Sequence, residues 1–526
     1  MNIKILDCTL RDGGYINNWS FNESHTIKIL NSLNQSKINI VECGYINDKN
    51  GEIKDTTLFD SLDSVDQVLK NIDFNENIEK VIMINLGDYD VANLPPKEQT
   101  SIDGIRLAFH KKDIELAFQI ASKIKESGYK LYFQPMVTKN YKDIEFLDII
   151  ERVNSLKPDA FYIVDSFGSM TLKEFHKYLI LSDNNLANNI SLGYHSHNNM
   201  QLAFSNAISM CMQNLKREII IDSSIYGIGR GAGNLNTELI SDHLNKTYDK
   251  NYDALPLLEI IDELLASLMV KNSWGFSPAQ FLSASYNCHP NYATYLVNKN
   301  TNYIVSIKKI LDKLPDDKKS SFDKELAEKL YRNYILESKS DLKGNFQLTI
   351  DKNILLIASG PSVIEYKELL EAKEKDSNYQ IVALNHKPDD INCDYYFFTN
   401  QKRYDEFQDK IESDKIVITN NIQIVTDPIA VLDFKQLVLG NNELVTNSTI
   451  LAINFLIQTG HKKVEIAGLD GYKLGKENYS YDENQIVIDV KSQLAENQII
   501  ENSLQQFSNK IDINIITPSI FKGGLV

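Results

Sequence analysis

Cysteine is scarce in this chain and irregularly placed. Its five residues, Cys8, Cys43, Cys211, Cys288 and Cys393, include no CxxC pair. An odd, scattered set builds neither a disulfide framework nor a zinc knuckle, so a reducing cytoplasm is the expected compartment. Positive charge is also short. A net charge of −16 argues against nucleic acid or an anionic membrane as the main partner. No apolar run is long enough to span a bilayer, and the N-terminus enters a β-rich run without the basic and apolar regions of a signal peptide. GxGxxG and GxxxxGK[ST] are both missing, which removes the commonest phosphate-binding signatures.

What is present is a long chain with two successive α/β patterns. At 526 residues it exceeds the roughly 250–300 residues at which single cores stop growing. Up to about Asn234, eight short apolar runs alternate with helical segments: NIKILDCTL, KINIVECGY, KVIMINL, GIRLAFH, KLYFQPMVT, AFYIVDSFG, ISLGYHSH and EIIIDSSIYGIG. Eight buried parallel strands with intervening helices predict a (β/α)₈ TIM barrel. An amphipathic helix over Tyr252–Leu268 and an aromatic, largely helical segment over Trp274–Leu296 would extend and cap it. The expected organisation is a barrel with cap over 1–297, a helical connector and linker over 298–352, and a doubly wound Rossmann-like α/β domain over 353–526.

In a barrel the chemistry sits at the carboxyl ends of the strands, and polar residues collect there. Arg11, Asp12, Gly13, Gly14 and Tyr15 follow the first run, Glu42 ends the second, Arg106 and His110 the fourth, and Gln134 the fifth. Asp165 and Ser166 end the sixth, and His195 and His197 the seventh. Residues two apart on a strand point the same way, so the two imidazoles converge. Two imidazoles with one carboxylate and open positions suit a catalytic divalent cation better than a closed structural site. An HxH pair alone is weak evidence; the TLRDGG segment strengthens it.

The second α/β pattern opens with NILLIASGPSV and continues through YQIVALNH, CDYYFFTN, DKIVITNN, QLVLGNN, KKVEIAGLDGY and DINIITPS. Ser359, Gly360, Ser362, Asn385, Asn400 and Asp470 fall at the carboxyl ends of these runs, where doubly wound sheets bind ligands.

LDCTLRDGGY, IRLAFH, VDSFG, GYHSHNN and GIGRGAGN, in this order, resemble the motifs of the 4-hydroxy-2-oxovalerate aldolase and 3-hydroxy-3-methylglutaryl-CoA lyase superfamily of metal-dependent TIM-barrel lyases. The resemblance implies that Asp12, His195 and His197 ligate Mn²⁺ or Mg²⁺, with Asn234 as ligand or neighbour, and that Arg11 stabilises the enolate of pyruvate or another 2-oxo acid. It implies further that Glu42 orients Arg11 and that an aldehyde is the second reactant. One departure concerns the general base. The aldolases carry a histidine after the RDG segment where this chain has Gly14 and Tyr15, which leaves Tyr15, His110 and His289 as candidates. Two rival readings are an acyl-CoA-dependent Claisen-type synthase and a non-catalytic scaffold.

The C-terminal part is, less specifically, similar to sialyltransferase-related and flagellin-glycosylation-related proteins through ASGPSV, ALNH, FFTN and the segment ending in Asp470. That similarity implies a nucleotide-sugar pocket, such as one for a CMP-sugar, and a role in surface-polysaccharide or unusual-sugar synthesis. A homo-oligomer associating through the helical cap is compatible with these residues and supported by no specific motif.

Overall fold

All eight apolar runs of the N-terminal half are strands. They are β1 (Ile3–Asp7), β2 (Ile40–Ile46), β3 (Glu79–Asn85), β4 (Gly104–Phe109), β5 (Lys130–Pro135), β6 (Ala160–Asp165), β7 (Ser191–Ser196) and β8 (Ile219–Ser223). Each pairs in parallel with the next, and β8 pairs with β1 with Ile3 opposite Ile219, so the sheet closes into a TIM barrel. A two-residue strand, Leu58–Phe59, adds to the end of β2.

This computed structural model describes residues 2–50, 55–213, 215–299, 304–440, 444–473, 479–480 and 490–521. The chain divides into two units: Met1–Thr294 with Pro315–Phe322, and Tyr295–Leu314 with Asp323–Val526. The segment expected as a connector is therefore shared between them, and its helices Ile304–Leu311 and Lys324–Ile335 belong to the second unit. The stretch expected as a linker joins that unit too: Lys343 bridges to Val431, and Leu348 is buried in its core.

The two-residue period of the strands sorts the barrel interior into layers. Leu6, Ile40, Val81, Tyr132, Ala160, Tyr162 and Ile220 form a buried apolar cluster. Two residues further along their strands from Ile40, Tyr132 and Ile220 stand Glu42, Gln134 and Asp222, all buried. A charged layer thus rests on an apolar one.

Beyond the barrel, the expected helix begins at Leu255 and runs through a π-helical turn at Ile261–Leu265 to Lys271. Pro256 in its first turn supplies the fixed φ that starts a helix. Helices Pro278–Ser285 and Asn291–Asn298 follow.

The second unit holds a parallel sheet of seven strands: β9 (Asn353–Ile357), β10 (Tyr379–Leu384), β11 (Tyr395–Phe398), β12 (Ile416–Thr419), β13 (Ala430–Leu432), β14 (Lys463–Ala467) and β15 (Asp512–Ile515). Its order, β13-β12-β11-β10-β9-β14-β15, reverses at β9, as in a Rossmann-like fold. QLVLGNN is not one of the strands. Its first residues end the short helix Phe434–Leu437, residues 441–442 lie outside the described residues, and the neighbouring run Ala430–Leu432 pairs with β12 instead. Four apolar residues between Pro428 and Asp433 are too short a run for periodicity to single out. Among the described residues no helix is long and apolar enough to cross a membrane.

At the end of β1, the buried Asp7 accepts from Thr237 Oγ1 at 2.6 Å and Thr9 N at 2.9 Å, tying the first strand to the last barrel helix. Burial raises its carboxyl to about 6 despite these bonds. A raised acid binds its proton more tightly folded than unfolded, so its stabilising contribution is full below pH 4 and is lost as pH rises through about 6. The stability of wild type relative to Asp7→Asn is therefore expected to fall by roughly 3 kcal/mol between pH 4 and 7 in urea unfolding. A pH-independent difference would show that burial does not govern this carboxyl.

Candidate metal centre and active site

Immediately after β1 the chain makes two short helical turns, Thr9–Asp12 and Gly14–Asn17, instead of an open loop. The first lifts Arg11 and Asp12 over the barrel mouth, where both are buried. Opposite them stand His195, at the end of β7, and His197, just beyond it, with ring centres 5.3 Å apart. A ligand atom from each of Asp12, His195 and His197 lies within 4.8 Å of the others.

The charged layer beneath fixes these groups. Arg11 Nε donates to Glu42 Oε2 at 2.9 Å, and its Nη1 donates to Asp12 Oδ1 at 2.8 Å. Glu42 Oε2 is also 2.7 Å from Arg106 Nη1, and Arg106 pairs in turn with Asp222. Asp222 Oδ2 lies 3.0 Å from His195 Nδ1. In the amide orientation that satisfies both groups, Gln134 accepts from Arg106 at 2.7 and 2.8 Å. A carboxylate bound to one nitrogen of His195 leaves Nε2 for a ligand, which is how metal-binding histidines are generally held.

The residues fit a divalent cation on three grounds. His197 Nδ1 and Asn234 Oδ1 are buried without a hydrogen-bond partner, and the former is 3.8 Å from Asp12 Oδ2. Asn234 Nδ2 meanwhile donates to Asp12 Oδ2 at 2.5 Å, turning its oxygen away from that bond. The buried charged side chains of the cluster, Arg11 and Arg106 against Asp12, Glu42 and Asp222, leave one carboxylate unbalanced. Burial opposes the charge on Asp12, yet Arg11 holds its carboxyl well below the usual range. Burial lowers His197 to about 3, keeping it neutral and able to ligate. Gly229 permits the close approach: a Cβ there would lie 2.2 Å from Asn234 Nδ2 and 2.9 Å from Asp12 Oδ2.

Above this centre opens a cavity of about 120 Å³ whose wall includes Arg11, Tyr15, His110, His195, His197 and His289. Six of the expected site residues therefore meet on one wall, with Asp12, Glu42 and Asn234 behind it. The departure at Gly14 has a steric reason. A Cβ there would strike the Trp19 indole at 2.2 Å, and Trp19 packs edge-on against Tyr15 at 4.7 Å between ring centres. Burial raises the Tyr15 phenol, although Arg230 and Arg11 oppose it. Burial and Arg230 push His289 down to about 2, and its Nδ1 accepts from Asn291 N at 3.2 Å. His110 is lowered by burial and by Lys112.

The HMGL-like family model matches residues 2–262. By its N-terminal half, the chain belongs to the HMGL-like family. The 4-hydroxy-2-oxovalerate aldolase of Carboxydothermus hydrogenoformans is 25% identical over 276 residues, covering 51% of this chain and 78% of that protein. The enzyme of the same name from Geobacillus thermodenitrificans is 21% identical over 268 residues, covering 51% and 77%. Among solved structures, the N-terminal domain of a protein assigned as an aldolase from Bacteroides vulgatus is 31% identical, covers 57% of this chain and 99% of its own, and has a TM-score of 0.49. These relatives are named as aldolases, and HMG-CoA lyases stand among the similar solved structures.

Two residues of the HMGL-like domain escape the sequence reading, and a third is read without its role. Asp222 is a charged residue inside an apolar strand, in EIIIDSS, and that interruption is its only signal; Arg106 is read at a strand end, in IRLAFH, without its pairing to Glu42 and Asp222. Arg230, in GIGRGAGN, looks like a loop residue and lines the cavity.

In the second unit, Ser359, Asn385 and Asn400 line a separate cavity of about 220 Å³. Gly360, Ser362 and Asp470 do not line it. Asp470 accepts from Ser362 N at 2.8 Å and from the Ser362 hydroxyl, and a Cβ on Gly360 would sit 2.6 Å from Asp470 Oδ1, so these three lock the turn after β9 to the end of β14. Asn385 accepts from Thr399 N at 2.8 Å, and Asn400 accepts from Arg403 N at 3.3 Å as a helix cap.

Asp222→Asn in the HMGL-like domain is expected to weaken Mn²⁺ binding by roughly 10–100-fold, measured by calorimetry on the full chain. Wild-type affinity in that variant would remove Asp222 from the support of the ligand set.

Proposed function

We propose that the HMGL-like domain is a metal-dependent aldolase that makes or breaks a carbon–carbon bond through the enolate of pyruvate or a related 2-oxo acid, with an aldehyde as the other reactant. The observation that carries this reading is the meeting of Asp12, His195 and His197 at one point beside a buried arginine. These residues, with Asn234, would hold Mn²⁺ or Mg²⁺. Such an ion, when bound, supplies Lewis-acid stabilisation of negative charge developing on a keto oxygen.

The chain's own groups supply the rest. Arg11 is oriented by Glu42 and Asp12 with Nη2 buried and unpartnered, so it presents a donor where an enolate oxygen gathers charge. Proton transfer is assigned to His110. Of the three candidates, Tyr15 is held protonated by burial, and His289 spends Nδ1 on its own loop. His110 makes no side-chain hydrogen bond among the described residues and is kept neutral, as an acceptor must be. Asp165, which accepts from Ser169 N and Met170 N, shapes the rim.

Proton exchange at the methyl group of pyruvate in D₂O, followed by NMR with Mn²⁺ and then with EDTA, tests the half-reaction without knowledge of the aldehyde. Exchange should require metal, vanish in His195→Ala and Arg11→Ala, and fall roughly 10²–10⁴-fold in His110→Ala. Metal-independent exchange, or full exchange in His195→Ala, would overturn the reading. No exchange in wild type would favour the acyl-CoA-dependent alternative.

For the second unit we propose a nucleotide-sugar site, of the CMP-sugar class, serving surface-polysaccharide or unusual-sugar synthesis. Support comes from the cavity at the carboxyl ends of β10 to β12, whose wall combines Lys339, Lys402 and Arg403 with Tyr472 and Tyr479. Cations for phosphate beside aromatic rings for a base suit such a ligand. Calorimetry with CMP should show saturable binding that Lys402→Ala weakens about tenfold, the size of one charge-assisted phosphate contact. No binding of CMP or a CMP-sugar would remove this assignment.

A further inference from the structure

The wall of the barrel cavity is electrostatically one-sided. Its charged residues are Arg11 and Arg230, the neutral His110, His197 and His289 stand beside them, and no aspartate or glutamate lines it. Arg11 is committed to Glu42 and Asp12. Arg230 is not committed. Half-buried in the loop after β8, it makes no ion pair and no side-chain hydrogen bond among the described residues, and its Nε is buried without a partner. Its guanidinium lies 5.3 Å from the centre of the Tyr15 ring, a contact that sets the position of the plane and uses none of its donors. Its charge reaches Asp12, Tyr15, His110, His197 and His289 alike, so it acts on the space above the metal-ligand cluster rather than on one neighbour. A partly desolvated guanidinium without a counter-ion is costly, and the planar fork of arginine matches a carboxylate in two parallel hydrogen bonds.

We propose that Arg230 receives a carboxylate on the far half of the substrate, so that the molecule handled here carries two anionic groups, one at the 2-oxo acid end and one on the portion derived from the aldehyde. This rests on the aldolase reading of the same cavity. Arg230 is then a specificity residue: it selects an anionic aldehyde over a neutral one of equal length.

The test is calorimetry on the full chain with Mg²⁺, using unreactive 2-oxo acids of matched length. These are 2-oxoglutarate, which ends in a carboxylate, 2-oxopentanoate, which ends in a methyl group, and 2-oxo-4-phosphonobutanoate, which ends in a phosphonate. Wild type should bind 2-oxoglutarate about tenfold or more tightly than 2-oxopentanoate, as one charge-assisted contact provides. Arg230→Met should bring the two within roughly threefold, and Arg230→Lys should keep part of the preference. No preference in wild type, or a preference undiminished in Arg230→Met, would overturn the proposal. Tightest binding of the phosphonate would overturn the carboxylate in favour of a phosphorylated aldehyde. Pyruvate exchange in wild type separates the two readings. Exchange without dianion preference sinks only the role of Arg230. A preference lost in Arg230→Met, without exchange, keeps the anion site and sinks the aldolase.

Discussion

Arg106 is the constraint on which the site depends. Fully buried in the barrel interior, it is paired with Glu42 on one side and Asp222 on the other. Glu42 holds Arg11, and Asp222 holds His195. A single guanidinium therefore connects the group that would meet an enolate with a group that would hold a metal. Burial opposes the charge on Asp222, and Arg106 keeps it charged. Removing one partner of a buried pair typically costs roughly 3–5 kcal/mol, so the network reads as a rigid frame as much as a charge relay.

The frame follows from strand geometry. Because side chains alternate, a residue two positions past an apolar interior residue also points inward, one layer nearer the carboxyl rim. Ile40 and Glu42, Tyr132 and Gln134, and Ile220 and Asp222 all obey this step. The apolar layer below excludes water and strengthens every interaction above it.

This arithmetic also explains what was legible in the amino-acid sequence. The barrel strands are rich in β-branched residues and regularly spaced, so the eight runs stood out, and HxH and RDG announce ligands through residue type alone. Asp222 carries no such motif, and Arg106, though it stands in IRLAFH, shows its pairing only when strands far apart in sequence are laid side by side. Arg230 was hidden for a different reason, since a glycine-rich loop gives no periodicity from which to read a direction. In the second unit the doubly wound class was readable, though not the strand order. The difference between Ser359 on a cavity wall and Ser362 spent on Asp470 was not, because both belong to one SGPS turn and differ only in what faces them.

The replacement of a histidine by Gly14 and Tyr15 then has a consequence for the far side of the cavity. Trp19 fills the space that a side chain at Gly14 would occupy and braces Tyr15, whose ring in turn lies beside Arg230. A phenol held neutral by burial adds no positive charge beside that guanidinium. Tyrosine thus lets a second cation stand over the site without repulsion from its closest aromatic neighbour. Anionic ligands sit below in Asp12 and cations above in Arg11 and Arg230, a polarity suited to a substrate that arrives negative at both ends and gains more negative charge at its centre as it reacts.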